Sequence, residues 1–309
     1  MSILDYLNKN FAVRKTALEK ESFRNYIIEY LRERGIEART ERTSDGKNNN
    51  LVIGDPTKAK AVFTAHYDTP ARSLFPNIMI PKNRVLFYAY QFVPIIFLLA
   101  VSLSISYILG ELIFHDFAVA YFSFLISYYT LFFGMMRLFT NKYNFNDNTS
   151  GVAVVLDIIK RISKEELSEV AFILFDNEEK GKKGSAAYFK DHKDEMKDKF
   201  LVNFDCVGNG NNIIFIAQKD AAGSEKYQAL EDAFDKNAGF ELDFTTHKNA
   251  DSNSDHKNFP CGVACVVCKK SKGGLLYTPY IHTHKDIVAD NGNIDFLSKN
   301  CVDFVRKLD

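Results

Sequence analysis

An apolar run that ends in two adjacent glutamates lies near the middle of the chain, VAFILFDNEEKGKKGS from Val170 to Ser185. The part from Val170 to Phe175 has the length and composition of a buried central strand, and the glycines that follow allow a tight turn into a helix. Glu178 and Glu179 should therefore lie at the carboxyl end of a strand. In open α/β sheets, ligands bind at this edge.

The paired glutamates have two interpretations. Neighbouring side chains at a strand end point in different directions, so one glutamate can hold a metal ion while the other transfers a proton. A solvated acidic turn is the alternative that the pair by itself leaves open. Further motifs along the chain favour the first interpretation.

Composition limits the class of protein. The 309 residues carry 39 basic and 39 acidic side chains, so the net charge is zero and no nucleic-acid surface is indicated. Residues 1–20 lack the apolar core of a secretory signal, and five cysteines without such a signal suggest a reducing compartment. The length fits one large α/β domain or two ordinary ones.

Two long uncharged segments interrupt the α/β pattern, Val85 to Gly110 and Phe117 to Met136. Each is long enough to cross a bilayer core, which takes ~20 apolar helical residues. We predict a hydrophobic hairpin of two transmembrane helices, 85–110 and 117–136, joined by six residues. The alternatives are a helix pair buried in a soluble core, a lid over the active site, and a dimer arm.

The charges around the hairpin are distributed unevenly. Its outer ends carry Lys82, Arg84, Arg137 and Lys142, and its connector carries Glu111, His115 and Asp116. By the positive-inside rule, both outer ends face the cytoplasm. Two spans return the chain to its starting side, so residues before and after the hairpin can meet in one site.

Other acids and histidines follow predicted strands or precede predicted helices. They are His66 with Asp68, Asp147, Asp205, and either His282 or His284. Asp68 shares a strand face with His66 and can fix its tautomer, as carboxylates do for metal-binding histidines. A lone H-x-D is nevertheless common by chance, and an aspartate before a helix is most often an N-cap.

Taken together, the motifs supply ligands for two divalent metal ions. The candidates are His66, Asp147, Glu179, Asp205 and one histidine near the C-terminus. Imidazole and carboxylate groups without cysteine favour zinc, with manganese or cobalt as alternatives. Two metal ions need a bridging carboxylate and activate a water, whose proton Glu178 is placed to accept.

The order and wording of these motifs resemble the M28 family of co-catalytic zinc aminopeptidases. The shared motifs are H-x-D at His66, D-N-x-S-G at Asp147, E-E-x-G-x-x-G-S at Glu178, N-x-D at Asn203 and H-T-x-x-D at His282. The resemblance covers nearly the whole chain apart from the hairpin and a predicted N-terminal helix, Thr16 to Arg34. The gap between Asp68 and Asp147 is longer than the family pattern.

The resemblance implies a role for each motif residue. It implies two zinc ions bridged by Asp147, one completed by His66 and Asp205 and the other by Glu179 and His282. It further implies Glu178 as the general base, Asp68 as the catalytic partner of His66, and a cis peptide after Asp147. His282 alone satisfies H-T-x-x-D, and His284 remains the alternative ligand.

The predicted fold class is α/β, with a single mixed, mostly parallel central sheet, helices on both faces, and the hairpin as an interruption. Residues 1–82 and 141–309 would form the catalytic domain of the zinc-exopeptidase type, and residues 83–140 the insertion.

The predicted function is a membrane-anchored zinc aminopeptidase that faces the cytoplasm, with peptides as substrates and the lipid bilayer as a partner through residues 85–136. The alternatives are a glutaminyl-cyclase-like acyltransferase on the same fold with one zinc ion, and a catalytically inactive binding module. The motifs do not define the preferred N-terminal residue, the native metal or the oligomeric state.

Overall fold

The structure of the chain is a computed structural model. It describes residues 1–73, 75, 77–137, 140–236 and 238–308, with side chains throughout these ranges except at 135–137. Residues 138 and 139 of the predicted insertion and the side chain of Arg137 therefore lie outside the described part of the chain.

Within the described residues, ten strands form one mixed sheet. They are β1 (Ala38–Arg42), β2 (Asn49–Ile53), β3 (Ala61–His66), β4 (Asn77–Met79), β5 (Val170–Phe175), β6 (Phe200–Phe204), β7 (Asn212–Ala217), β8 (Glu241–Thr246), β9 (Gly262–Lys270) and β10 (Leu276–Ile281). The order is β1-β2-β5-β3-β6-β9-β10-β4, with β7 paired to β9 and to β8. Strands β5, β3, β6 and β9 run parallel, which confirms the predicted mixed sheet with a parallel centre.

The described α-helices precede, connect and follow these strands. They are α1 (Ile3–Asn10), α2 (Ala17–Arg32), α3 (Arg84–Tyr107), α4 (Phe117–Arg137), α5 (Gly151–Arg161), α6 (Lys164–Glu169), α7 (Lys183–Asp191), α8 (Lys193–Met196), α9 (Glu225–Ala233) and α10 (Asn291–Val305). The predicted N-terminal helix is α2, where Thr16 and Glu19 form a reciprocal capping box.

Apolar cores cover both faces of the parallel strands. Successive side chains of a strand point to opposite faces, so Phe63 and Phe172 join the core with α5 and α10, whereas Val62 and Ile173 join the core with α7. Helices on both faces are thus confirmed. Double-sided burial explains why these strands are continuously apolar in sequence.

The two apolar helices α3 and α4 pack against each other. Gly110 lies so close to the second helix that a Cβ atom on it would stand 2.2 Å from Cβ of Ala120. The hydroxyl of Ser106 donates to the carbonyl of Ala120 at 2.7 Å. Small residues at such contacts allow close packing of helices in apolar surroundings.

The connector between these helices is shorter than predicted. The first helix continues past residue 110 in wide, π-helical turns to Phe114, so only His115 and Asp116 separate it from α4. A single charge at Glu111 does not end the helix, because the apolar residues after it continue the run. His115 adopts a left-handed conformation, and Asp116 accepts the backbone N–H of Ala118 at 2.6 Å.

Gly184 marks a close approach between α7 and the end of β5. A Cβ atom at this position would lie 2.0 Å from the carbonyl oxygen of Asp176. The second glycine of the E-E-x-G-x-x-G-S motif is therefore required by packing, and it keeps α7 against the segment that carries the glutamate pair.

We expect Gly184→Ala to lower the free energy of unfolding by about 1–3 kcal/mol, because the backbone at Asp176 would have to move. Urea denaturation of the detergent-solubilised protein measures this. Gly273→Ala is the control, since the nearest atom to its added Cβ would be 3.9 Å away. Equal denaturation midpoints for the two variants would contradict the packing role.

Candidate metal centre

Three central strands end at the same edge of the sheet. His66 is the last residue of β3 and pairs with Phe175, the last residue of β5. On the other side of β3, strand β6 ends at Phe204, and Asp205 follows it. Because the three strands run parallel, His66, the glutamate pair and Asp205 all leave the sheet at its carboxyl edge.

Two loops bring further side chains to this edge. Asp147 lies on the loop before α5, and its Oδ1 is 3.3 Å from His66 Nε2. His282 follows β10, and its Nε2 lies 2.9 Å from Asp147 Oδ2 and 3.2 Å from Glu179 Oε2. The two oxygens of Asp147 therefore face two different histidines.

The side chains form two triads that share Asp147. One consists of His66, Asp147 and Asp205, the other of Asp147, Glu179 and His282, and the ligand atoms within each lie within 4.8 Å of one another. A third grouping, His66 with Glu178 and Glu179, places Glu178 beside both triads. The exposed His284 belongs to none of these groupings.

Asp68 fixes the backbone of the glutamate pair. Its Oδ1 accepts the N–H of Glu178 at 2.9 Å, and its Oδ2 accepts the N–H of Glu179 at 3.2 Å. The Nδ1 atom of His66 lies 3.2 Å from the Asp68 carbonyl and 3.6 Å from its carboxylate. Asp68 thus positions both glutamates, and its main-chain oxygen is the nearer acceptor for His66.

The loop of Asp147 is tied to the loop of Asp205 by side chains that accept backbone N–H groups. Asn146 Oδ1 accepts from Gly208 at 2.7 Å, Asn148 Oδ1 from Cys206 at 3.3 Å, and Ser150 Oγ from Val207 at 3.0 Å. The amide of Asn148 also donates to the carbonyl of Phe204 at 2.9 Å. The peptide bond between Asp147 and Asn148 is cis.

Asp286 links the histidine loop to the Asp147 loop. Its two carboxylate oxygens accept the N–H groups of Asn146 and Asp147, both at 3.0 Å. Asp286 is buried, and this burial, with the charge of Asp147, raises the pKa of its carboxyl well above the usual value. Asp286, the final aspartate of H-T-x-x-D, therefore connects the loop of His282 to the backbone of Asp147.

Negative charge is concentrated at the centre. Burial raises the pKa of Glu179 to about 7, although His282 opposes this shift. Burial lowers the pKa of His66, but Asp147, Asp205 and Asp68 outweigh it and hold that pKa well above the usual value. The carboxylates thus draw positive charge into the site.

The residues present fit a metal ion. Glu179 Oε1 is buried and has no hydrogen-bond partner among the described atoms. Imidazole nitrogens and carboxylate oxygens are suitable zinc ligands, and bonds of ~2.0–2.1 Å at tetrahedral angles place two ligand atoms ~3.3 Å apart. The distances of 2.9, 3.2 and 3.3 Å within the triads are close to this spacing.

A buried arginine from the N-terminal segment lies behind the site. Arg14 is fully buried and donates to the carbonyl of Tyr67 and, at 3.2 Å, to Thr149 Oγ1. Burial lowers the pKa of this guanidinium to about 10, while the charges of Asp68 and Asp147 oppose the shift. Arg14 therefore places one fixed positive charge beneath the acidic cluster.

The segment Ser254-Asp255-His256, between β8 and β9, is hydrogen-bonded to β6 and α7. Ser254 Oγ accepts from the amide of Asn203 at 2.9 Å, and Asp255 accepts from Ser185 Oγ at 2.5 Å. Burial raises the pKa of Asp255 to about 7 and lowers the pKa of His256 to about 3, so His256 is neutral at physiological pH.

A cavity of about 330 Å³ opens onto the triads. Apolar side chains of Met79, Phe87 and Ile281 line it together with Gln91, Glu178 and Glu179. A larger open groove of about 1000 Å³, near Arg32 and Asp55, contains none of the clustered histidines and acids. The cavity that contains the clustered histidines and acids is therefore the smaller one, and helix α3 forms part of its wall.

Sequence reasoning did not predict that Phe87, Gln91 and Asn77 contribute to this site. Gln91 is the one amide in the uncharged run 85–110, and a polar group in such a segment is itself a signal of function. Asn77 carried no signal, because its place depends on the pairing of β4 with β10.

The chain belongs to peptidase family M28, whose model matches residues 138–305. This family defines the class of protein: a metal-dependent peptide hydrolase that uses a divalent metal, typically zinc. A search of curated proteins found no match.

Solved structures show the same fold. The LapA aminopeptidase of Legionella pneumophila is 17% identical, with a TM-score of 0.57 over 99% of this chain and 68% of that one. A Zn-dependent exopeptidase from Parabacteroides distasonis is 14% identical, with a TM-score of 0.59 over 98% of this chain and 96% of that one. A glutaminyl cyclase from Porphyromonas gingivalis is 15% identical, with a TM-score of 0.56 over 99% and 97%.

We expect Asn148→Ala to lower the free energy of unfolding by about 3 kcal/mol, because it removes the partners of the N–H groups of Gly151 and Cys206 and of the Phe204 carbonyl. Urea denaturation in detergent tests this. Asn10→Ala, at an exposed position, is the matched control and should change the value by less than about 0.5 kcal/mol. If both variants unfold at the parent's urea concentration, Asn148 does not join the two loops.

Proposed function

We propose that this chain is a membrane-anchored aminopeptidase that holds two divalent metal ions, with zinc as the expected metal. The observation that carries the proposal is the pair of triads that share Asp147. His66 and Asp205 would complete one metal site, and Glu179 and His282 the other, as the family resemblance implies. Because Asp147 turns one oxygen towards each histidine, it is suited to bridge two cations.

Glu178 is the proposed general base. Burial raises the pKa of its carboxyl well above the usual value, which brings it closer to the range suited to proton transfer near neutral pH. Its place beside His66 and Glu179 lets it accept a proton from water at the centre and return it to the departing amine. Asp68 is proposed to act through its neighbours, because it holds the backbone of both glutamates.

Two divalent cations at this centre would supply an activated water and positive charge for the oxygen of the scissile carbonyl. The cavity beside them favours removal of terminal residues. Its volume of about 330 Å³ suits one end of a peptide, and its wall of Met79, Phe87 and Ile281 suits an apolar side chain. Glu178 and Glu179 line the same space.

Cyclisation of N-terminal glutamine is the second candidate function, since the Porphyromonas gingivalis glutaminyl cyclase has the same fold. That reading would need one zinc ion, whereas the complete set of ligands around Asp147 supports two. A catalytically inactive binding module is disfavoured because Glu178 and all five ligand candidates are present.

We expect Glu178→Gln to lower kcat on leucyl anilide by ~10²–10⁴-fold, the usual range for loss of a general base, while leaving two metal ions per chain. The measurement combines metal analysis with kinetics of the detergent-purified protein on leucyl, glutamyl and N-terminal glutaminyl substrates. Glu21→Gln, at an exposed position on α2, is the matched control and should behave as the parent.

Each outcome separates the candidates. A Glu178→Gln variant that loses a metal ion would make Glu178 a ligand and not the base. Cyclisation without peptide hydrolysis would establish the acyltransferase. A parent protein that binds no zinc after zinc addition would overturn the proposal.

The membrane anchor in this proposal is the hairpin of α3 and α4, with residues 1–82 and 141–309 as the catalytic domain. Helices at Arg84–Phe114 and Phe117–Gly134 are long and apolar enough to cross a membrane, with 11% and 0% of their most apolar windows buried. Large side chains such as Phe97, Leu103 and Ile126 are exposed along them. Exposure on this scale needs an apolar environment, and a bilayer matches the length.

We expect the full-length protein to stay in membranes through high salt and alkaline carbonate and to require detergent for release. The double substitution Leu103→Arg and Ile126→Arg should reduce integration, since each mid-span arginine costs ~2.5–3.5 kcal/mol. Leu18→Arg, at an exposed leucine outside the hairpin, is the control. Release of the parent protein by carbonate alone would rule out a spanning hairpin and favour a lid or dimer arm.

The proposed orientation places the connector on the side of the membrane opposite the active site. A His115→Cys variant should react with a membrane-impermeant maleimide added outside intact cells. Labelling only after the cells are opened would contradict this orientation.

A further inference from the structure

A chain of three polar side chains connects the hairpin to the metal centre. The amide of Gln91 in α3 donates from Nε2 to Asn77 Oδ1 at 3.3 Å. The amide nitrogen of Asn77 lies 3.4 Å from His282 Nδ1, on the side of the ring opposite the carboxylates. His282 Nε2, in turn, faces Asp147 and Glu179. The hairpin therefore meets a candidate metal ligand through one intermediate residue.

Strand pairing places Asn77 beside His282. Asn77 pairs with Ile281, the residue immediately before the histidine. The backbone N–H of Ser73 donates to the carbonyl of His282 at 2.7 Å. His282 itself has a φ of 61°, a left-handed conformation that is unfavourable for a non-glycine residue. Its position thus depends on neighbours, and the segment that leads into the hairpin supplies them.

The base of the hairpin is fixed to the rest of the protein, so Gln91 has a defined place. Lys82 forms an ion pair with Asp243, and Arg84 donates to the carbonyl of His247 and lies 3.9 Å from Asp251. The ring of Phe97, further along α3, packs on Phe75 with centroids 5.0 Å apart. Lys82 and Arg84, before Gln91, thus tie the start of α3 to β8 and the residues after it, and Phe97, beyond Gln91, ties α3 to the segment that precedes β4.

The tautomer of His282 decides which atoms of Asn77 and Gln91 donate hydrogen bonds and which accept them. If Nε2 of His282 ligates a cation, the neutral ring carries its hydrogen on Nδ1 and needs an acceptor there. The amide of Asn77 can turn by 180° so that Oδ1 accepts from Nδ1–H and Nδ2 donates to Gln91, with the heavy atoms in the same positions. Gln91, turned likewise, then accepts through Oε1.

We propose that Asn77 and Gln91 are positioning residues that set the tautomer and ring orientation of His282, so that the hairpin takes part in metal binding as well as in anchoring. This inference rests on the proposed function in treating His282 as a ligand of one of two metal ions. Partners of this kind on ligating histidines typically change metal affinity by ~10–100-fold when they are removed. The affected ion is the one shared by Asp147, Glu179 and His282.

The test is a two-step zinc titration of detergent-purified protein against a competing chelator. Asn77→Ala should lower the affinity for one of the two zinc ions by ~10–100-fold and leave the affinity for the other unchanged. Gln91→Leu, which removes the amide but keeps the size, should weaken the same ion by ~10-fold. Asn77→Asp keeps an acceptor for Nδ1–H and should bind that ion at least as tightly as the parent.

Two controls separate positioning from general damage. Ser104→Ala, on the exposed part of α3, should leave both zinc steps and activity unchanged. Phe87→Leu changes the cavity wall but none of the three hydrogen-bonding side chains Gln91, Asn77 and His282. It should therefore alter KM and leave both zinc affinities as in the parent.

The outcomes also separate this inference from the proposed function. Zinc titrations of Asn77→Ala and Gln91→Leu that match the parent would overturn the inference, as would equal weakening of both ions or a failure of Asn77→Asp to restore binding. If the affinity for one ion falls as expected but the parent hydrolyses no aminoacyl substrate, the positioning role stands and the aminopeptidase proposal falls. A parent that binds no zinc overturns both.

Discussion

Repulsion among clustered carboxylates, buried or partly buried, is the constraint on which this structure depends. Asp68, Asp147, Glu178, Glu179 and Asp205 meet at one edge of the sheet with two imidazoles. Burying such charges without compensation costs several kcal/mol for each ion. Backbone N–H groups, the guanidinium of Arg14 and two histidines offset part of this cost. They do not offset all of it, because Glu179 Oε1 has no hydrogen-bond partner among the described atoms. Divalent cations would supply the positive charge that is still missing.

The central fold could be predicted because strands that are buried on both faces have continuously apolar sequences. Val170–Phe175 and Phe200–Phe204 are apolar on both faces, as strands between two layers of helices must be. Strands towards the edges of the sheet are less buried, so their sequences are less clearly apolar. Strand β8 is only half-buried, and β10 contains Pro279 and follows a glycine pair, so the sequence reads there as a loop. The sequence predicts a longer hairpin connector than the structure has, because Glu111 ends the uncharged run whereas the helix continues to Phe114.

Much of the candidate site was also predictable, because strand ends in a parallel sheet converge whatever the loops do. The structure brings His66, Asp147, Glu179, Asp205 and His282 together with Glu178 at one edge. What could not be predicted is the arrangement that depends on distant packing. Asn77 meets His282 only through the pairing of β4 with β10, and Gln91 meets Asn77 only through the placement of α3. Neither contact has a spacing rule that a sequence could reveal.

The order of the ligands along the chain has a consequence for biosynthesis. A ribosome completes His66 and then the apolar hairpin long before it reaches His282 and Asp286, which close the second triad and fix the loop of Asp147. When synthesis of the hairpin is complete, His66 is therefore the only one of the five ligand candidates that has been made. A nascent chain stalled before residue 282 can present only the first triad, so the second triad cannot form until synthesis is nearly complete.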